Sequence, residues 1–308
     1  MKLKYLIVVG SLLCFFGCRS DSKKESPTAG TLDIMVSETV YPVASQMGER
    51  FEDLYPDSRI NVIPTTASEA VQFLLNDSVE VVMLSRKLNK DEEIFIQKNE
   101  LKIGQQEIAI GGLVVIVNEK NPINGLRVSQ IDSIFKGYTY YWKDLGWKNT
   151  KNTVLFFVPD PKTDIFDFIN NQFLHGNKLP KSFQFVSSID SIISSVSNNL
   201  GGIGIVGFNY YDTKYNIKSL EMSDYSKLSD SLGVSGQYFS PAQAYVYRKH
   251  YPLRASVYIY SNIQSVGLAS GFVSFAMNIQ GQKIVMNNKL VPATMPVRII
   301  QLNSGDQK

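Results

Sequence analysis

The sequence predicts an α/β fold with two lobes, and three observations support this prediction. Short apolar runs alternate with helical periods from Thr31 onward, an order that favours a mostly parallel sheet covered by helices. One run, Val81 to Leu84, is apolar throughout, as expected of a strand buried on both faces. The alternation changes near residues 111–118 and the chain returns near residues 240–245, which predicts two crossovers between the lobes.

The N-terminus has the features of an export signal. A short lysine-containing region precedes the apolar run "YLIVVGSLLCFFG", which is shorter than the roughly 20 residues of a membrane-spanning helix. Gly17-Cys18 matches the end of a bacterial lipobox, so residues 1–18 are predicted to be a lipoprotein signal peptide with Cys18 as the lipidated residue. Bulky phenylalanines just before Gly17 leave a plain signal peptide as the alternative. Cys14 and Cys18 are the only cysteines, which excludes cysteine-based metal sites and cysteine nucleophiles.

Composition narrows the class of protein further. Residues 19–30 are polar and turn-rich and predict a flexible tether between lipid and fold. With 44% hydrophobic residues in 308, the chain can bury a core large enough to do without disulfides. A formal net charge of +3, without a basic cluster among aromatic residues, argues against a nucleic-acid partner. We therefore expect a lipid-anchored protein of the cell envelope that faces the periplasm or the cell surface.

The first half of the chain predicts alternating strands and helices. The first helix has apolar residues at Val43, Met47, Phe51 and Leu54 and is closed by Pro56. In chain order the elements are strand "TLDIMV", helix "YPVASQMGERFEDLYP", strand "RINVIPTT", helix "SEAVQFLLND", strand "VEVVMLS" and helix "NKDEEIFIQKN". The next segment, "LKIGQQEIAIGGLVVIVN", predicts two strands around a glycine pair.

The second half continues the alternation and then returns to the first lobe. Its elements are helix "VSQIDSIFKG", an aromatic loop "YYWKDLGW", strand "VLFFVP", helices "DIFDFINNQFL" and "SIDSIISSVSNN", strand "GGIGIVGFNYY", strands "AQAYVYRK" and "ASVYIYSN", and a helical segment "GLASGFVSFAMNIQGQKIVMNN". The predicted boundaries are residues 31–115 plus 243–308 for lobe 1 and residues 116–242 for lobe 2.

Several segments also resemble a known family. They are "MVSETVYPV", "TTASEAVQFLLNDSVEVVMLSRKLNKDE", "VNEKNPINGLRVSQIDSIFKGYTYYWKDLG", "GGIGIVGFNYYD", "YPLRASVYIYSN", "GFVSFAMNIQGQKIV" and "LVPATMPVRIIQL". Over nearly all of residues 31–302 the chain resembles the phosphate-binding proteins of bacterial phosphate ABC transporters, in particular their Bacteroidetes lipoprotein branch. The resemblance implies a type II periplasmic-binding-protein-like fold, with the ligand cleft between two lobes joined by two crossover strands. It further implies a monomer that carries phosphate or a similar oxyanion to an ABC permease, without catalysis or cofactor.

The resemblance places candidate ligand residues in three loops of the first lobe. Ser37 and Thr39 follow the first strand, where the family uses hydroxyl and N–H donors, and the same residues would equally suit a helix cap. Ser68 lies in the second loop, where the pattern favours an N-cap over a ligand. Ser85 and Arg86 end the third strand. Arg86 is either a bidentate oxyanion ligand or a surface residue, and the Asp that family members often carry nearby is missing.

The loop "DPKTD", residues 160–164, is the largest departure from the family. It stands where the family has an Arg and a Ser-Gly-Thr sequence, and only Thr163 retains a hydroxyl, so the resemblance makes Thr163 the candidate ligand residue of this loop. The glycine that permits close backbone approach is absent. Asp164 as N-cap with Asp167 in the first turn would be sound helix chemistry. An alternative function follows, in which a repurposed binding fold acts in sensing or protein interaction without tight anion binding.

Neither catalysis nor a metal site is predicted. His175 and His250 are the only histidines, and neither lies near a nucleophile motif. The acidic run of residues 91–93 is interpreted as a solvated first helical turn, stabilised by the helix dipole.

Overall fold

The computed structural model describes residues 26–211, 215–262 and 267–295. The predicted signal peptide with Cys18, and most of the predicted tether, lie outside these ranges. The end of the tether belongs to the fold, because Ser26 and Ala29 form a β-bridge and Gly30 begins the first strand. The Pro27 carbonyl lies so close to Gly271 that a Cβ there would be 1.8 Å from its oxygen, so this contact requires glycine.

Strands and helices alternate through most of the described chain. The strands are β1 (Gly30–Ser37), β2 (Ser58–Thr65), β3 (Val81–Leu84), β4 (Ile103–Asn118), β5 (Gly125–Arg127), β6 (Leu155–Val158), β7 (Phe183–Phe185), β8 (Gly202–Gly207), β9 (Ile217–Ser219), β10 (Glu221–Ser223), β11 (Tyr238–Phe239), β12 (Arg254–Asn262) and β13 (Val291–Pro292). The helices are α1 (Tyr41–Leu54), α2 (Ala67–Leu75), α3 (Lys90–Lys98), α4 (Val128–Phe135), α5 (Asp164–Ile169), α6 (Ile189–Asn198), α7 (Lys227–Ser231), α8 (Gln243–Tyr247), α9 (Leu268–Met277) and α10 (Ile279–Asn287).

The main sheet has the strand order β2-β1-β3-β12-β4-β8-β6-β7, and β9 and β13 also pair with β4. β1 runs parallel to β2 and β3, and β6 runs parallel to β7 and β8. The central strands β12 and β4 are antiparallel to their neighbours. A small second sheet contains β11, β10 and β5. The α/β class predicted from the sequence is confirmed, with two parallel groups flanking an antiparallel centre.

The strand β4 joins the two groups. Its first part pairs with β12 as far as Gly112, and its last part pairs with β8 from Leu113 onward. We call β2, β1, β3, β12 and residues 103–112 the first half-sheet, and residues 113–118, β8, β6 and β7 the second half-sheet. The prediction of two strands around the glycine pair was wrong, because one strand runs through it. A Cβ on Gly112 would lie 2.8 Å from the Phe208 ring, so glycine serves packing here.

Buried aromatic residues fill the layers between sheet and helices on both sides. Beside the first half-sheet, Phe51 of α1 lies 5.7 and 5.4 Å, centroid to centroid, from Phe272 and Phe275 of α9. Beside the second half-sheet, Phe135 stacks on Phe173 with ring centroids 5.1 Å apart. Edge and stacked contacts of this kind add to the area that the rings bury.

The predicted aromatic loop packs at its centre and is exposed at its start. Trp142 is fully buried and donates its indole N–H to the Gly201 carbonyl at 2.9 Å, whereas Tyr140 is 49% exposed. The segment "AQAYVYRK", predicted as a strand, instead forms α8. None of the helices in the described ranges combines the length and the apolar character needed to cross a membrane.

Candidate functional site

The carboxyl ends of β1 and β3 bring hydroxyl groups together at one edge of the first half-sheet. Ser37 is the last residue of β1, and Ser85 directly follows β3, which runs parallel to β1. Thr39 lies in the turn before α1. The N-cap of α1 is Val40, which makes no side-chain cap bond, so neither Ser37 nor Thr39 caps this helix. Ligands of open α/β sheets commonly bind at this edge.

Two of the three hydroxyls, those of Thr39 and Ser85, bond to one carboxylate oxygen of Asp164, and the third, that of Ser37, lies beside Thr39. Ser85 donates to Asp164 Oδ2 from its hydroxyl at 2.5 Å and from its backbone N–H at 3.2 Å. Thr39 also donates to Asp164 Oδ2, and its hydroxyl oxygen lies 3.0 Å from that of Ser85 and 3.3 Å from that of Ser37. Asp164 is 2% exposed. We call Ser37, Thr39 and Ser85 the hydroxyl cradle.

Arg86, the predicted oxyanion ligand, is paired with two carboxylates. Its guanidinium donates to both Glu92 carboxylate oxygens at 2.8 and 2.7 Å, and its Nε lies 2.7 Å from Asp167 Oδ2. Burial alone would lower the pKa of Arg86, but hydrogen bonds and charge from Glu92, together with the charges of Asp167 and Asp164, outweigh it and raise that pKa. Burial raises the pKa of Asp167 even though Arg86 opposes the shift.

The loop that follows β1 and contains Thr39 is also bonded to residues beside the second half-sheet. Glu38 accepts the N–H of Ile189, the first residue of α6, at 3.0 Å, and burial raises the pKa of Glu38. Tyr210 donates to the Glu38 carbonyl at 2.6 Å. Asn209 donates its side-chain amide to the Thr39 carbonyl at 2.9 Å. These bonds hold the loop that follows β1 against the start of α6 and against residues that follow β8.

The remaining two candidate ligand residues, Ser68 and Thr163, are bonded outside the cradle. The prediction of Ser68 as N-cap was wrong: Thr66 caps α2 by accepting the Glu69 N–H, and Ser68 is exposed on a cavity of ≈ 410 Å³. The prediction of Asp164 as N-cap was also wrong. Thr163 caps α5, its hydroxyl accepting the N–H of Phe166 at 3.3 Å, and Asp164 is the first helical residue.

A cavity of ≈ 290 Å³ adjoins the cradle at Ser85 and Arg86. Its wall also includes Gln172 beyond α5 and Tyr258 of β12, so it reaches between the two half-sheets. Within the described part of the chain, no group of three or more His, Cys, Asp or Glu side chains could hold a metal ion.

The chemistry of the cradle suits an oxyanion. It presents hydroxyl donors and one N–H to an atom that only accepts, and donors to a charged oxygen make the stronger hydrogen bonds. The surroundings are acidic, since Glu92 and Asp167 contact Arg86, and Asp164 lies near enough to Glu38 for its charge to raise the pKa of Glu38. Sequence reasoning missed the role of Asp164. The available signal was the position directly after the hydroxyl residue Thr163, which can cap a helix and so turn the next residue inward.

Comparison with known proteins agrees with this architecture. The profile described as PBP superfamily domain matches residues 21–278. Phosphate-binding protein PstS of Staphylococcus aureus is 24% identical over 268 residues, covering 85% of this chain and 77% of its own. Protein SphX of Synechococcus elongatus is 24% identical over 257 residues, covering 80% and 73%.

A solved structure shares the fold. A protein from Clostridium perfringens, assigned as a phosphate ABC transporter substrate-binding protein and solved with bound phosphate, superposes with a TM-score of 0.73 at 21% identity. The superposition covers 86% of this chain and all of that one. The predicted resemblance to phosphate-binding proteins and the predicted periplasmic-binding-protein-like fold are thereby confirmed. With the profile matching most of its length, the chain belongs to the PBP superfamily.

Proposed function

We propose that the protein is an extracytoplasmic solute-binding protein that captures a small oxyanion and delivers it to an ABC permease. One observation supports this most strongly: the hydroxyl cradle holds an oxyanion oxygen, that of Asp164, at the junction of the two half-sheets. Phosphate is the proposed solute because relatives over most of the chain are named phosphate-binding proteins. The role is binding and delivery, without a catalytic step.

The same proposal includes how the site opens. An oxyanion loses its water between two lobes only where preoriented donors replace that water. We propose that residues 31–115 plus 243–308 and residues 116–242 are those lobes, that the first contains the first half-sheet and the second most of the second half-sheet, and that they hinge close to the point where β4 changes partner. Closure would complete the shell around the ligand, so that binding and hinge motion are one event. The ligand residues would be Ser37, Thr39 and Ser85, assisted by Arg86.

Anchoring by a lipid on Cys18 is part of the proposal. It follows from the lipobox-like Gly17-Cys18 in the sequence. Mass spectrometry of the N-terminal peptide of protein extracted from membranes is the test. An unmodified Cys18 in the mature chain would contradict the anchor and leave the binding function untouched.

Isothermal titration calorimetry with phosphate and with sulfate tests the binding function, on protein refolded to remove carried-over ligand. We expect heat with phosphate. Ser85→Ala removes one donor to the charged oxygen and should weaken binding about tenfold. Ser274→Ala is the matched control, because this exposed serine of α9 bonds only within its own helix in the structure. No heat with either anion would contradict the proposal.

A second candidate function is sensing or protein interaction without tight anion binding. The observation that favours it is that carboxylates of this chain already engage both the cradle and Arg86. It predicts no heat with phosphate for the wild-type protein and for every cradle variant, together with a protein partner recovered by cross-linking in the envelope. Phosphate binding that depends on Ser85 would contradict it.

A further inference from the structure

The helix α5 presents two carboxylates to the first half-sheet. Asp164 and Asp167 are three residues apart, so their side chains lie on the same face of the helix. Asp164 reaches Ser85, which is 79 residues away in sequence, and Asp167 reaches Arg86, the next residue. Two adjacent positions at the end of β3 therefore each receive one carboxylate from the same helix face.

Both carboxylates engage groups that a bound oxyanion would use. The hydroxyls of Thr39 and Ser85 and the Ser85 N–H all point to one oxygen of Asp164. The Arg86 guanidinium has its Nε on Asp167 and its two terminal nitrogens on Glu92. A hydroxyl has one proton to donate. An incoming oxyanion therefore cannot accept the hydroxyl protons of Thr39 and Ser85 while these donate to Asp164.

We propose that α5 is an internal occupant of the oxyanion site: Asp164 fills the hydroxyl cradle and Asp167 holds Arg86, and together they close the cleft in the absence of solute. The proposal rests on the proposed function, since it takes the cradle to be the solute site. Phosphate then binds only by displacing Asp164, whose negative charge also opposes a second anion. The two carboxylates, carried by one helix, would leave together.

The internal occupant should lower the apparent affinity for phosphate. A ligand that binds only the vacant form has its affinity reduced by the fraction of molecules in that form. The protein would therefore load at a higher solute concentration than the cradle alone would allow. Substituting Asp164 should remove this penalty, whereas substituting a carboxylate that does not reach the cradle should leave it unchanged.

The first measurement is phosphate affinity by calorimetry on the full mature chain. Asp164→Ala is expected to bind phosphate at least about tenfold more tightly than wild type, the effect of one competing charged hydrogen-bonding group. Asp160→Ala is the matched control: it removes the same charge from the same loop, and Asp160 is exposed and bonds to the Lys162 N–H in that loop. It should change the affinity by less than about twofold. Asp164→Asn, which keeps the side-chain shape, replaces the alanine variant if that variant does not fold.

The second measurement follows closure without any solute, by hydrogen exchange and mass spectrometry. The Ile189 N–H bonds to Glu38 across the cleft and is touched by neither carboxylate of α5, so its exchange reports opening. In ligand-free protein we expect exchange at Ile189 to be at least about tenfold faster in the double variant of Asp164→Ala and Asp167→Ala than in wild type. Asp160→Ala should match wild type.

The outcomes separate this inference from the proposed function. Faster exchange in the double variant together with tighter phosphate binding by Asp164→Ala supports both. Weaker phosphate binding by Asp164→Ala would make Asp164 a direct ligand contact, which overturns the inference and leaves the function standing. Faster exchange without phosphate binding in any variant supports the closing role and overturns the phosphate function. Equal exchange in wild type and double variant overturns the inference whatever phosphate does.

Discussion

Replacing Arg86 by alanine should destabilise the protein strongly, because it leaves two carboxylates without their shared cation. The Arg86 side chain is 9% exposed, and those of Glu92 and Asp167 are 13% and 30% exposed. All three guanidinium contacts are at 2.7 to 2.8 Å. Removing one partner of a buried ion pair typically costs about 3–5 kcal/mol, since the remaining charge is buried and unpaired.

The pKa of Asp167 limits how much free energy is lost by leaving this carboxylate without Arg86, because the carboxylate can take up a proton instead. A carboxyl group with the ordinary pKa of 3.8 can be neutralised at pH 7 for about 4 kcal/mol, at about 1.36 kcal/mol for each pH unit. Burial has already raised the pKa of Asp167. Once Arg86 is gone, protonating the Asp167 carboxylate at pH 7 therefore costs less than about 4 kcal/mol of free energy. We expect Arg86→Ala to lower the free energy of unfolding by about 3–4 kcal/mol.

Urea unfolding followed by circular dichroism measures the effect. Arg59→Ala is the control, because its 69%-exposed side chain pairs with Glu52 at 3.5 Å at the surface and should contribute less than about 1 kcal/mol. The double variant with Asp167→Ala should recover part of the loss, since it removes one orphaned carboxylate. A cost below about 1 kcal/mol for Arg86→Ala would refute the reasoning and place Arg86 among ordinary surface ion pairs.

Two further predictions concern Glu38 and Gln282. Burial raises the pKa of Glu38 above 4.5, so the folded state holds this proton more tightly than the unfolded state and the stability contributed by Glu38 falls as the pH rises from 4.5 through the raised value. Glu38→Gln lacks this titration, and a difference in unfolding free energy from wild type that is the same at pH 4.5 and pH 7 would contradict the reasoning. Gln282 is fully buried and donates to the Ile108 and Ala276 carbonyls at 3.0 and 2.9 Å. Gln282→Leu should cost at least about 2 kcal/mol in thermal or urea unfolding, because both carbonyls lose the Gln282 donor. The Ile108 carbonyl keeps its bond from the Ala293 N–H, whereas the Thr294 N–H also loses its acceptor. A neutral effect would show that the bonds contribute nothing net.

The alternation of strands and helices was predictable because each element buries one face or stripe of its own sequence. The short segment "AQAYVYRK" was not, and it forms α8. Five residues carry too little periodicity to separate a strand from a helical turn. Tertiary contacts decide instead: Val246 is fully buried, and Gln243 donates to the Leu290 carbonyl.

The glycine pair in β4 shows a different limit. Glycine inside an apolar run signals a break or a close approach, and sequence alone does not separate the two. Here a Cβ on Gly111 would lie only 3.0 Å from the Leu290 side chain, and a Cβ on Gly112 only 2.8 Å from the Phe208 ring. The strand continues, and what changes after Gly112 is its hydrogen-bonding partner. The change of partner falls within residues 111–118, where the sequence pattern changes, but the predicted break in the strand was wrong.

Hydroxyl positions at the site were predictable where a strand end fixed them. Ser37 ends β1 and Ser85 directly follows β3, and the ends of such parallel strands meet at one edge of a sheet. The second loop, "TTAS", contains three hydroxyl residues, and each of them could be the N-cap of the helix that follows. Thr66 is the N-cap because β2 ends at Thr65 and α2 begins at Ala67. Ser68 therefore lies inside the first helical turn.

For the acidic loop at residues 160–164, the sequence predicts the local helix start but not which part of the protein the loop contacts. The spacing of Asp164 and Asp167 fixes a shared helix face, but the contact with Ser85 joins residues 79 positions apart, which no local pattern encodes. A donor loop like that of the family would face the donors of the cradle and need an anion between them. An acceptor loop satisfies those donors directly. The exchange of hydroxyls for carboxylates is thus compatible with an intact cradle, and it changes which partner closes the cleft when no solute is bound.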